Sequence, residues 1–239
     1  MPFDFQKLAK FRLARGSHKQ PNKDGNICVN EAAVIAAGFE YRAVKDVSCL
    51  PNCFSRPVSD YAIYLNDLMS HRVRNEILMP FVTRLSGTSD SPWIEAERAA
   101  FIVIETARRI VAAEYDEIWH KPAVAAKCRT VRSVQQVSSV MAKAKAVLPL
   151  ECAREVLHAG RRCLSRDFRI GSPCAAAAKA AARSFRNKLG PDADRKIWEI
   201  AASILDEAIQ LGRHDGIGDH AAAVERLERA KAMPVAAQG

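Results

Sequence analysis

PDADRKIWEIAASILDEAIQLG, residues Pro191 to Gly212, is the stretch whose reading decides the fold class. Ile197, Ile200, Ala201, Ile204, Leu205, Ala208 and Ile209 return at intervals of three and four residues, the period that gathers side chains onto one face of an α-helix. Pro191 suits the first helical position, where no intrahelical N–H is needed, and Gly212 supplies a stop.

The same period governs the chain upstream. Ser91-Pro92 reads as an N-cap and first helical residue. Behind it Ile94, Phe101, Ile104, Ala107, Ile110 and Val111 form a broad apolar face to about Glu114, which places this helix at the centre of the core. A helix from Pro57 carries Val58, Tyr61, Ala62, Leu65, Leu68 and Met69 on one face. Ser70 is placed to cap the next, whose stripe is Val73, Ile77, Leu78, Phe81, Val82 and Leu85. Pro80 falls inside that stripe and is expected to kink or split it, and Gly87 ends it. A short helix spans about 29–37 and ends at Gly38, and three more are expected over 133–147, 150–165 and 173–188. The last of these holds the run CAAAAKAAA, which permits close helix packing, and a final helix covers about 219–231. Residues 1–15 read as a short basic helix, 16–26 as a turn-rich loop, 39–56 as irregular and 116–130 as ambiguous.

No stretch alternates apolar and polar residues over a useful length, so no strand is expected. The fold class is therefore all-α, with eight or nine helices in an orthogonal or bundle-like array. A soft boundary at 116–130 would separate a helical unit over 16–115, with Cys- and His-bearing loops, from a basic, Ala-rich helical unit over 131–232. The alternative is one continuous domain.

Composition supports a folded, soluble chain: 239 residues, 49% of them hydrophobic, are enough for a sizeable core. No apolar run approaches the roughly 18 residues of a membrane span. Lys7, Lys10, Arg12 and Arg15 near the start are followed by no apolar run with a cleavage site, so no secretory signal is read and a cytoplasmic location is expected. In that reducing compartment the seven cysteines, an odd number, would be free thiols or metal ligands.

Charge is unevenly distributed. The formal net charge is +9, yet residues 121–190 hold fifteen Lys and Arg against three acids, while the remainder holds 21 bases and 24 acids. Basicity confined to one segment favours a local acidic partner over a generally charged surface.

The order Gly16-x-His18-x-x-Pro21, Gly25-x-x-Cys28-Val29-x-Glu31-Ala32, Ala37-Gly38, Cys53, Pro57, Asn66-Asp67, Pro80, Arg84-Leu85 and Gly87-Thr88 resembles a group of uncharacterised bacterial and phage helical proteins. These open with a His- and Pro-bearing loop before a Cys-Val-x-Glu-Ala helix, and end in an Ala-rich helical half with a segment similar to Leu205-Asp206-Glu207. The resemblance covers about 16–110 well and the rest loosely. It marks the first hundred residues as a unit and implies no activity.

Three constellations could carry chemistry. His18, Cys28, Cys49 and Cys53 offer the imidazole and thiolate ligands that zinc prefers in a closed four-ligand site. The competing reading makes Cys28 and Cys53 small buried hydrophobes and His18 a loop hydrogen-bonder. Cys28 also lies just before a helix start, where the macrodipole favours a thiolate, with His18 as its base and Glu31 or Asp24 to orient the His. A zinc deaminase is excluded, because Cys28-x-x-Glu31 and a lone Cys53 do not match His/Cys-x-Glu followed by Pro-Cys-x-x-Cys.

The third constellation is the basic segment. Arg154, Arg161, Arg162, Arg166 and Arg169 follow one another, and Lys179, Arg183 and Arg186 fall at i, i+4 and i+7 on one helix face, a pattern suited to phosphate contacts. A solvated helix surface is the competing reading. Only Phe168 and Phe185 interleave as aromatics, so base stacking is poorly supported. Walker, GxGxxG, HExxH, GxSxG and calcium-loop motifs are absent. The function expected is binding of an acidic macromolecule, DNA or RNA included, through a basic face in 121–190. The alternative is a metal-binding or thiol-dependent enzyme centred on Cys28 and His18.

Overall fold

A computed structural model of the chain describes residues 10–19, 25–165, 172–184 and 191–212. Nine α-helices lie among them: α1 Val29–Ala36, α2 Arg56–Leu68, α3 His71–Leu78, α4 Pro92–Glu105, α5 Pro122–Arg129, α6 Val134–Val147, α7 Glu151–Ser165, α8 Pro173–Arg183 and α9 Pro191–Gln210. The protein is all-α. The helix read over 219–231 and residues 1–9 lie outside the described residues.

Local chemistry sets most boundaries. Ser55, Ser91, Ser133 and Ser172 each accept a first-turn N–H through the hydroxyl, opening α2, α4, α6 and α8, and α2, α4 and α8 carry Pro in the first two positions. Ser70 opens α3 without a side-chain cap bond. Pro80 does split its stripe: α3 ends at Leu78 and a 3-10 turn follows over Met79–Phe81. Gly87 and Gly212 adopt positive φ.

Two local findings correct the sequence reading. Arg12–Leu13 (β1) and Asn26–Ile27 (β2) form a two-residue parallel pair, where no strand was expected. Its register is fixed from outside, because the Asn75 side chain accepts from Leu13 N–H at 2.7 Å and donates to Leu13 O at 2.9 Å. Downstream, α4 does not stop near Glu114. It continues as π-helical turns over Thr106–Val111 and Glu114–Ile118, and at the changeover Thr106 Oγ1 donates to Ile102 O. Such back-bonding competes with the regular ladder.

The buried residues form one continuous cluster from Leu13 to Ile209, drawing on both sides of 116–130. α9 contributes Ile197, Ala201, Ile204, Leu205, Ala208 and Ile209 to it, with Ile200 half-buried. Buried arginines clamp α9 to the first half. Arg84 pairs with Asp206, and Arg98 donates to Leu211 O at 2.6 Å, to Thr88 O and to Glu95 Oε1 at 2.9 Å. The Ala-rich α8 is buried along nearly its whole length, from Pro173 to Ala181 apart from Lys179. No helix of the described residues is long and apolar enough to cross a membrane.

Candidate functional site

The structure joins His18, Cys28 and Glu31 in one cluster, with Glu31 holding His18 as expected and Cys28 taking a different part. Glu31, in the first turn of α1, is fully buried. Its Oε1 accepts from Ser17 Oγ at 3.0 Å, His18 N–H at 2.9 Å and Val44 N–H at 3.0 Å. Its Oε2 accepts from Cys28 N–H at 2.9 Å and lies 3.0 Å from His18 Nδ1. A desolvated carboxylate needs such company, and here it ties the 17–18 loop, the start of α1 and the irregular segment at Val44 together. Tyr41 adds a bond from its hydroxyl to His18 O at 2.5 Å. Burial, followed by the Glu31 charge, pushes the Tyr41 hydroxyl pKa up to about 12.

Cys28 is the N-cap of α1. Its Sγ accepts from Glu31 N–H at 3.3 Å while the Glu31 carboxylate returns a bond to Cys28 N–H, a capping box with sulfur in the usual place of a hydroxyl. Burial, and then the Glu31 charge, drive the thiol pKa well above its ordinary value. A neutral thiol 3% exposed counts against a nucleophile: the neighbouring carboxylate and the desolvation outweigh the helix dipole that the sequence reading relied on.

The proposed zinc ligands do not assemble either. Among the described residues no three His, Cys, Asp or Glu side chains come together in a group able to hold a metal ion. His18 is engaged by Glu31, Cys28 caps α1, and Cys49 and Cys53 pack half-buried against the core.

The basic segment divides. Arg166, Arg169 and Arg186 lie outside the described residues. The helix face drawn through Lys179 and Arg183 is not a free cationic face. Lys179 Nζ stands 5.2 Å from the centre of the Tyr64 ring, and Arg183 pairs with Glu151 at 2.7 Å and Glu155 at 2.5 Å. The reason is that α8 is buried, so the few polar groups on it find partners on α2 and α7. Arg154 pairs with Glu151 at 2.5 Å, and Arg162 reaches Ser172 O at 3.4 Å. By contrast Lys127, Arg132, Lys143, Lys145 and Arg161 are exposed, and none of these side chains has a carboxylate partner among the described residues. Residues 121–165 contain two acids: Glu151, engaged by Arg154 and Arg183, and Glu155, engaged by Arg183.

One feature escaped the sequence reading. The N-terminal turns of α2, α4 and α8 meet at a cavity of about 400 Å³, lined by Pro57, Asp60, Pro92, Glu95, Ala99 and Cys174 among others. Glu95 is satisfied there by Ser55 Oγ at 2.6 Å, Asp90 N–H at 3.0 Å and Arg98 at 2.9 Å. Arg56 is spent on Val47 O and on Leu50 O at 3.1 Å. Asp60 is only 9% exposed, and its Oδ2 has no hydrogen-bond partner. Burial raises the Asp60 carboxyl pKa, opposed by Ser172, the Ala175 amide and the Lys179 charge. The repeated Ser-Pro starts at Ser55-x-Pro57, Ser91-Pro92 and Ser172-Pro173 were visible in the sequence, but nothing in it says that three helix starts converge.

Comparison with known proteins gives no match: no family model, no curated protein and no solved structure matches the chain.

Proposed function

We propose that this chain is a helical binding protein that engages an acidic macromolecule, nucleic acid foremost, through the unneutralised bases of the stretch from α5 to α7. The observation that carries the reading is the imbalance at Lys127, Arg132, Lys143, Lys145 and Arg161. These bases are exposed, while the two carboxylates of 121–165 are already committed to other arginines. When such bases neutralise phosphates, the counterions condensed on the nucleic acid are released, and that release favours binding. Lys179 and Arg183 are left out of the binding surface, because each already has a partner on a neighbouring helix.

Fluorescence anisotropy with a labelled 20-base-pair duplex of arbitrary sequence, at about 50 mM salt, tests the reading. Binding is expected for the wild type, with a loss of at least tenfold for Lys143→Glu/Lys145→Glu/Arg161→Glu. Arg154→Gln, whose charge is already paired, should change affinity by less than twofold. Absence of binding by the wild type to duplex and single strands alike would remove nucleic acid as the partner. A pulldown with a polyglutamate resin would then decide whether an acidic protein takes its place.

A further inference from the structure

The cavity where α2, α4 and α8 begin has the features of a small-molecule site, and its chemistry is unusually restrictive. Its wall is apolar apart from a few groups, and nearly all of these are already satisfied. Glu95 holds three donors, Arg56 holds backbone carbonyls, and Ser172 Oγ accepts the Cys174 and Ala175 amides at 3.0 and 3.5 Å. Asp60 is the exception: a lining side chain more than nine-tenths buried, with one oxygen unpartnered. Buried acceptors are rarely left so, because each forfeits the hydrogen bond it had in water.

We propose that this cavity binds a compact, flat, apolar molecule carrying one neutral hydrogen-bond donor, an aromatic N–H or O–H, which pairs with Asp60 Oδ2. Its volume, about 400 Å³, falls in the range of ordinary ligand pockets. The apolar wall excludes strongly polar ligands such as sugars and phosphates, which would lose hydration without compensation. An anionic ligand is disfavoured, because Asp60 and Glu95 both line the cavity. Pro57, Pro92 and Pro173 also remove amides that would otherwise bind an anion.

The site is independent of the acidic-partner surface: it involves none of Lys127, Arg132, Lys143, Lys145 or Arg161. Failure of one reading therefore leaves the other standing.

Indole and indene provide the test, since they share size and shape and differ in the N–H. Titration of the full chain, followed by ¹H–¹⁵N shifts, should place indole at the amides of Ala96, Ala99 and Cys174. Indene should bind at least tenfold more weakly, about the worth of a buried hydrogen bond with its acceptor otherwise orphaned. Asp60→Ala should abolish that discrimination, leaving both probes at similar affinity. Ala96→Leu, at an exposed helical position on the cavity rim, should block both probes with the fold intact by circular dichroism, and it serves even if Asp60→Ala fails to fold. Benzoate should bind more weakly than benzyl alcohol. The proposal is overturned if indole and indene bind equally to the wild type, if indole shifts map elsewhere, or if benzoate binds the more tightly of its pair.

Discussion

Replacing Glu31 with Gln removes a charge and one acceptor while changing almost no volume, so it isolates the electrostatic worth of the Glu31 cluster. The wild-type carboxylate takes five hydrogen bonds from the described residues, two of them on Oε2. With the amide oxygen kept at the Oε1 position, the Ser17, His18 N–H and Val44 bonds persist but become neutral, each losing roughly 1 kcal/mol of charge assistance. At the Oε2 position an NH₂ now faces Cys28 N–H, donor against donor, and the orphaned amide costs about 1–3 kcal/mol. His18 can switch tautomer and accept from the new NH₂, so that contact is converted and not lost. Relief of the desolvated charge returns part of the total. The net expectation is a loss of about 2–4 kcal/mol, a large share of a typical folding free energy of roughly 5–15 kcal/mol. Urea unfolding followed by circular dichroism should show a lowered midpoint at unchanged slope. Hydrogen exchange should show His18, Cys28 and Val44 amides losing protection together, ahead of α9. A loss under about 1 kcal/mol, or loss of protection confined to one of the three segments, would refute the view that Glu31 binds them together.

Ile204→Ala removes a fully buried side chain from α9 and should cost roughly 2–5 kcal/mol in the same unfolding assay; under about 1 kcal/mol would mean a peripheral helix. At Gly25, φ is +69° and an added Cβ would stand 2.3 Å from Lys10 O, so Gly25→Ala should loosen the β1–β2 pair. Gly16→Ala, at φ +82° with open space around it, should cost only about 1 kcal/mol of backbone strain. Thiol labelling at pH 8 should modify Cys49 and Cys53 first and leave Cys28, Cys152 and Cys174 protected until unfolding, and rapid native labelling of Cys28 would contradict its capping role.

The helices were legible because their information is local. The stripe from Ile197 to Ile209, the Ser91-Pro92 start and the break at Pro80 each rest on residues within a turn or two of one another. The β1–β2 pair was not legible, since two residues carry no period and their register depends on Asn75, 62 residues from Leu13. The end of the long helix was hidden for a related reason: its turns widen to π geometry, and the chain then reverses through His120 at φ +50° with no glycine to announce it. At the sites, residue types were readable and geometry was not. The Cys28–Glu31 spacing fits a nucleophile or a metal ligand as well as a cap, and burial alone distinguishes them. Lys179 and Arg183 lie on one helix face, as their spacing requires, but only the fold shows that Tyr64 and Glu155 are there to partner them.

The central claim, that unneutralised bases of α5 to α7 hold an acidic partner, is tested most directly by the salt dependence of duplex binding between about 50 and 200 mM. With five bases each neutralising a phosphate, log Kobs against log salt should fall with a slope near −4.5, from about −0.9 per contact. Lys143→Glu/Lys145→Glu/Arg161→Glu should flatten it to about −2, with affinity lowered alike for every duplex sequence, because phosphate contacts carry no base information. A wild-type slope shallower than about −1, or a steep slope that the triple variant leaves unchanged, would contradict the account.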